Sequence, residues 1–220
     1  MKGEILKALV VLSDPNPEGL AAACAEAARQ GIIDGHSPAR IVNLTDLKIN
    51  RCAMCDPDGW GACRTKHECE IKDDFQSLHA TVREAQGYVF ITSVFFGAPD
   101  EAMWAFLDRL RRCEATKDQA AGEESVLLGK PTVCIAASAI SSAEAVKALA
   151  EISEVMKDLK TDLFDLIPVS SRTRDYQLET IHDSLSEMVN LPPAMSASAN
   201  TRRRAEEVKR RYTARKRRRR

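Results

Sequence analysis

The chain has 220 residues, 44% of them hydrophobic and 29% charged, which suits one globular core with a small appendage and excludes a fibrous or wholly disordered chain. No apolar run approaches bilayer-spanning length, and Met1-Lys2-Gly3-Glu4-Ile5 lacks the basic start and apolar stretch of a secretion signal, so a cytoplasmic protein without a membrane role is expected. The formal net charge of zero hides an asymmetry: residues 202–220 carry twelve Lys or Arg against Glu206 and Glu207, leaving 20 basic and 30 acidic side chains in residues 1–201.

In chain order, Glu4 to Leu12 (EILKALVVL) is an apolar, partly β-branched strand that ends in the turn cluster Ser13-Asp14-Pro15-Asn16-Pro17. An Ala-rich helix from Gly19 to Gln30 follows, and Gly31 is expected to close it. Ala39 to Leu44 is a second strand. Lys48 to Lys72 is a cysteine-rich loop with too little aliphatic content to be core. Asp73-Asp74-Phe75-Gln76 opens the next helix as a capping box, with Asp73 accepting backbone N–H groups and Gln76 reaching back, which makes Asp73 and Asp74 caps rather than general acids. Gly87 to Val94 is a buried strand, and Asp100 to Cys113 a helix with Met103, Phe106, Leu107 and Leu110 on one face.

Glu114 to Leu128 reads as an exposed excursion. Thr132 to Ala137, Ser142 to Leu159, Leu163 to Val169 and Tyr176 to Asn190 then continue the alternation of strand and helix. Five strands alternating with five helices predict an α/β domain over 1–190, with a parallel sheet, right-handed crossovers and helices on both faces. Residues 191–201 (LPPAMSASANT) form a linker and 202–220 a basic tail.

In such a sheet ligands bind beyond the carboxyl ends of the strands, where strand order reverses. Three loops qualify: Ser13 to Gly19, Ser93 to Pro99 and Ala137 to Ser142. The first enters a helix whose unpaired N–H groups and positive dipole end favour an anion. The dinucleotide fingerprint is absent, and the glycines of Gly122 to Lys130 are too far apart for a nucleotide-triphosphate loop, so a phosphate monoester is favoured over NAD or ATP as the bound group. Val94, Phe95 and Phe96, at a strand end, read on their own as core more readily than as a cofactor wall.

The runs CAMC at Cys52–Cys55, CEIKDDF at Cys69–Phe75, FITSVFFGAP at Phe90–Pro99 and FLDRL at Phe106–Leu110 resemble the flavodoxin-like NAD(P)H-dependent FMN reductases, a family that includes the iron-sulfur flavoproteins. The resemblance spans residues 4–190 and is most specific between Cys52 and Leu110. It implies a doubly wound five-stranded parallel sheet of order 2-1-3-4-5. It also implies FMN held by the three loops and NAD(P)H as electron donor. The phosphate would lie at Ser13, Asn16, Glu18, Gly19 and Leu20, and the isoalloxazine ring beside Ser93, Val94, Phe95, Phe96 and Gly97, with Ala137 and Ser138 from the third loop. A homo-oligomer is implied as well, because a neighbouring subunit commonly completes the open cofactor edge in this fold.

The chain departs from the family pattern in places. Gly19 and Leu20 stand where Asn and Thr or Ser are usual, Ser93 and Phe95 where Pro and Tyr are usual, and Ala137 to Ala143 lacks the usual glycines. Backbone donors from Glu18, Gly19 and Leu20, with side-chain donors from Ser13 and Asn16, are expected to remain for the phosphate. Losing a charge-assisted hydrogen bond costs about 1.5–3 kcal/mol, which weakens FMN binding without abolishing it.

Cys52, Cys55, Cys63 and Cys69 give the spacing C-x2-C-x7-C-x5-C. Four thiolates on one loop can reach a common centre, so an iron-sulfur cluster, zinc, and plain reduced thiols all stand as readings. The Pro57–Gly61 insertion widens the second gap relative to the compact C-x2-C-x2-C of the iron-sulfur flavoproteins. Cys24, Cys113 and Cys134 fall on helix or strand patterns and read as buried small apolar residues. The leading functional expectation is an FMN-dependent oxidoreductase that passes electrons from NAD(P)H to a small acceptor such as a quinone, or to a cluster. The alternative is a metal-stabilised binding module that contacts nucleic acid or another anion through its basic tail.

Overall fold

The computed structural model describes residues 6–117 and 123–191. Its elements are β1 (Ala8–Ser13), α1 (Leu20–Asp34), β2 (Ala39–Asn43), a short 3-10 turn (Leu44–Asp46), α2 (Ala62–Thr65), α3 (Phe75–Glu84), β3 (Gly87–Phe95), β4 (Ala98–Pro99), α4 (Glu101–Glu114), β5 (Pro131–Ser138), α5 (Ser142–Asp158), β6 (Asp162–Ser170) and α6 (Arg174–Val189). The long strands pair in the order β2-β1-β3-β5-β6, all parallel. Numbered over the five long strands, this is the flavodoxin-like order 2-1-3-4-5.

Side chains alternate across each strand, and both faces are covered. Leu9 and Val11 of β1 enter the core under α3, α4 and α5, while Ala8, Val10 and Leu12 enter the core under α1 and α6. A strand buried on both sides needs an unbroken apolar run, which is why β1, β3 and β5 read as continuous rather than alternating patterns. The edge strand β2 is half-exposed and its sequence is more mixed.

Three local expectations are corrected. First, α1 does not stop before Gly31: it continues to Asp34 and is closed by Gly35. Gly31 lies inside the helix because α1 and α6 touch there; a Cβ would come within 2.2 Å of the His182 carbonyl oxygen. Second, the segment after α4 is not an exposed excursion at its ends. Glu114 and Leu127 are buried, the Val126 amide donates to the Glu114 carboxylate at 2.8 Å, and the Tyr88 hydroxyl lies 3.3 Å from the Val126 carbonyl. A buried carboxylate needs donors, and the returning backbone supplies one.

Third, β3 and β4 form an antiparallel hairpin, with Val94 opposite Pro99 and Phe95 opposite Ala98. Its two central residues, Phe96 and Gly97, have φ of 55° and 79°, the left-handed pair that a tight hairpin turn of matching twist requires.

The capping box at the start of α3 is present. Asp73 accepts from the Phe75 amide at 3.1 Å, and Gln76 accepts from the Asp73 amide at 3.2 Å. Cys24, Cys113 and Cys134 are fully buried. No helix among the described residues is long and apolar enough to cross a membrane. The basic tail, and the linker beyond Leu191, lie outside the described residues.

Candidate functional site

The parallel register brings the three candidate loops to one edge. Ser13 stands opposite Thr92, Ser93 opposite Ala137, and Ser138 opposite Ser170, so β1, β3, β5 and β6 all end level. The Ser93 hydroxyl donates to the Ser13 carbonyl at 3.2 Å, and the Ser13 hydroxyl donates to the Asp100 carboxylate. Asp100 also caps α4 by accepting from the Ala102 amide at 2.9 Å. One carboxylate therefore joins the first loop to the helix that follows the second.

The first loop largely satisfies itself. The Asp14 carboxylate accepts from the Asn16 amide at 2.9 Å, the Asn16 side chain accepts from the Glu18 amide at 3.1 Å, and the Asn16 carbonyl accepts from the Gly19 amide at 2.9 Å. Of the donors expected for a phosphate, the amides of Glu18 and Gly19 and the hydroxyl of Ser13 are thus already engaged. Leu20 begins α1, whose ladder starts with the Ala23 amide on the Gly19 carbonyl, and no side chain caps the helix. The amides of Leu20, Ala21 and Ala22 have no acceptor within the helix and point out of its amino end.

At the second loop, Val94 is core, as its strand position suggests. Phe95 and Phe96 overturn the core reading: Phe95 is 54% exposed and Phe96 is 100% exposed. A phenylalanine held in the left-handed region with its whole ring in solvent is a costly arrangement that no packing explains. Gly97 lies against Lys147 of α5, where a Cβ would sit 3.0 Å from the lysine stem. In the third loop Ala137 and Ser138 are buried. Ser138 donates to Glu144 at 3.0 Å and accepts from the amides of Ile140 and Ser141, which fixes the loop, while Ile140 stands 77% exposed beside it. Phe95, Phe96 and Ile140 thus leave exposed apolar surface at this end of the sheet.

The four loop cysteines share a second site. Cys52, Cys55, Cys63 and Cys69 line one small cavity of about 10 Å³ that is bounded on the α4 side by Arg109 and Arg112. The insertion that widens the second cysteine gap is a closed turn. The Asp56 amide donates to the Trp60 carbonyl at 2.7 Å, Arg112 donates to the Gly59 carbonyl at 3.0 Å, and the Trp60 ring lies within 5.2 Å of Arg112 and 5.5 Å of Arg64. Cys63 and Cys69 also pack on the core, so this loop is less detached than its composition suggests. Desolvation, then the Glu70 carboxylate, raises the Cys55 thiol; desolvation also raises Cys63.

The clasp of this loop is Arg109, to which the run FLDRL by itself assigns no role. Its side chain is wholly buried. Nε donates to Cys69 Sγ at 3.3 Å, Nη1 to the Asn50 carbonyl and Asp73 Oδ2 at 2.9 and 2.7 Å, and Nη2 to the Ile71 carbonyl and Asp73 Oδ1 at 3.3 and 3.0 Å. All five guanidinium donors are used, and the plane stacks on Phe75 at 4.3 Å. Burial alone would push the Asp73 carboxyl up; the Arg109 guanidinium and the amides of Asn50 and Phe75 outweigh it and hold the group at about 2. The signal was available, since Arg109 sits three residues after Phe106 and four before Cys113, on the buried stripe of α4.

Fit to the expected groups differs between the two sites. At the sheet edge, the open hairpin tip and the uncapped first turn of α1 suit a planar ring carrying an anionic tail. At the thiol cavity, among the described residues, no group of three or more His, Cys, Asp or Glu side chains is placed to hold a metal ion. Cys52, Cys55, Cys63 and Cys69 are gathered there, all as free thiols, without forming a ligand set for zinc or a cluster.

The sequence model described as NADPH-dependent FMN reductase matches residues 6–162. The chain is 24% identical over 106 residues to an iron-sulfur flavoprotein of Methanocaldococcus jannaschii, covering 48% of this chain and 52% of that one. It is 36% identical over 64 residues to an iron-sulfur flavoprotein of Archaeoglobus fulgidus, covering 29% and 30%. The chain thus spans about half the length of the first curated relative and under a third of the second. An NAD(P)H:quinone oxidoreductase from Methanothermobacter marburgensis superposes with a TM-score of 0.61 at 11% identity over 84% of this chain and 96% of that one, a likeness of fold.

Proposed function

The chain belongs to the NADPH-dependent FMN reductase family, and we propose that it is an oxidoreductase taking hydride from NAD(P)H into FMN and delivering the electrons to a small acceptor such as a quinone. FMN, when bound, supplies the redox chemistry; the protein supplies seat, orientation and exclusion of side reactions. The observation that carries this reading is the hairpin tip, where Phe95 and Phe96 are exposed and Phe96 is held at φ 55° beside Gly97, at the sheet edge where β1 ends. The turn conformation serves the hairpin, but the exposed aromatic rings serve nothing in the packing of the domain and suit a flat apolar ligand.

In this reading the first-turn amides from Leu20 onward would hold the phosphate, with the dipole of α1 adding to the attraction. Phe95 and Phe96 would flank the ring, and Ser93 would fix the spacing between ring seat and phosphate seat through its bond to the Ser13 carbonyl. Asp100, bonded to Ser13 and capping α4, would keep the two loops from drifting apart. Near the thiol cavity, Arg51, one residue before Cys52, makes an exposed pair with Glu101 at the start of α4, at 2.6 Å. The sulfurs as they stand do not form a ligand set, so no electron step is routed through a metal.

The test is NAD(P)H oxidation by the full chain with FMN and a naphthoquinone, each omitted in turn. Turnover should require both and should exceed the rate with free FMN alone. A chain that binds no FMN and leaves that rate unchanged would refute the reading.

A further inference from the structure

The anion that the first loop holds is its own. Asp14 is 6% exposed, and its backbone is pinned by Asn43 and Thr45, which donate to its carbonyl at 3.2 and 3.3 Å. Its Oδ1 takes the Asn16 amide. Its Oδ2 has no donor among the described residues and lies so close to Gly19, the residue before α1, that a Cβ there would come within 2.5 Å of it. This oxygen reaches solvent and lies beside Gly19, at the start of an uncapped helix whose first-turn amides a phosphate oxygen would seek.

Resting on the flavin reading above, we propose that Asp14 is the specificity-determining residue of the phosphate end, a built-in anion that opposes the phosphate dianion and sets how tightly FMN is held relative to riboflavin. Two like charges within a few ångströms, partly screened from water, repel far more strongly than the same pair in solvent. Glu18, also acidic, is exposed, and its charge is screened over a Debye length of about 8 Å. Position 14 therefore dominates the discrimination and position 18 contributes little.

Asp14→Asn isolates the charge, because the asparagine carbonyl can still accept the Asn16 amide and keep the turn. Asp14→Ser serves as a second variant that keeps a local acceptor with less bulk. Affinities for FMN and for riboflavin are measured by flavin fluorescence on the full chain. At least about a tenfold gain for FMN is expected in Asp14→Asn, with riboflavin unchanged and Glu18→Gln within about threefold of wild type. FMN affinity that is unchanged or weaker in both Asp14 variants, while wild type binds FMN, would overturn the proposal and leave the flavin reading standing. An equal gain for riboflavin would overturn it too, since relief of bulk rather than charge would then be the cause. Failure of wild type and variants to bind either flavin would overturn the flavin reading, and this proposal with it.

Discussion

Replacing Arg109 by Met keeps an apolar stem against Phe75 and removes all five donors that close the cysteine loop on α4. Asp73 is then left buried without its cation, together with the carbonyls of Asn50 and Ile71. Breaking a buried ion pair by removing one partner costs about 3–5 kcal/mol, much of a small domain's stability. The acid dependence gives an independent measure. Asp73 is held at about 2 instead of the ordinary 3.8 by Arg109 together with Asn50 and the Phe75 amide, so these contacts jointly contribute about 2 kcal/mol that is fully present above about pH 4 and is lost as pH falls through about 2. In the variant the guanidinium's share of that depression is lost, and the gap to wild type should narrow as the solution is acidified. Urea unfolding followed by circular dichroism at pH 7 and pH 3 reads both effects. Pairing Arg109→Met with Asp73→Leu should recover most of the loss, because no charge is then left buried. A single variant within about 1 kcal/mol of wild type at pH 7, or a gap that does not change with pH, would refute the assignment of Arg109 as the clasp.

Three further substitutions test other parts of the account. Gly31→Ala should separate α1 from α6 and lower stability by about 1–3 kcal/mol, read as a fall in Tm; an unchanged Tm would contradict the close approach to His182. Phe96→Asn places an Asn-Gly pair in the hairpin turn and removes a ring that packs on nothing, so stability should rise by about 0.5–1 kcal/mol while FMN binding weakens. Weaker folding with unaltered flavin affinity would show that the ring serves the fold. Glu114→Gln turns an amide NH2 toward His79, Lys117 and the Val126 amide, all of which donate to the carboxylate, and should cost about 2–4 kcal/mol in chemical denaturation; a loss below about 1 kcal/mol would mean that the buried network is dispensable.

The strands were legible because a strand buried on both faces must be apolar from end to end, and because turn clusters such as Ser13–Pro17 leave no alternative to a break; their order was implied only by the family resemblance. What escaped the sequence depended on contacts between distant residues. Gly31 reads as a helix stop by local propensity, yet its role is set by the His182 backbone, 151 residues further along the chain. Phe95 and Phe96 read as core because bulky apolar residues at strand ends are usually buried; the hairpin turn that exposes them has Phe-Gly in place of the common Asn-Gly.

In the first loop, Asn16, Glu18 and Gly19 bond among themselves, which no spacing rule reveals. Arg109 was hidden in another way. Its place on the buried stripe of α4 marks it as unusual, whereas its partners Cys69 and Asp73 come from a segment whose path the sequence does not dictate.

The most direct measurement of the central claim is a structure of the full chain with FMN. The account predicts the phosphate against the first-turn amides of α1 and the ring at the Phe95–Gly97 hairpin, with the Asp14 carboxylate turned away from Gly19. Flavin bound elsewhere, for instance in the open groove at the amino ends of β1 and β2 between Lys7, Arg40 and Glu84, or no bound flavin at saturating concentration, would contradict it.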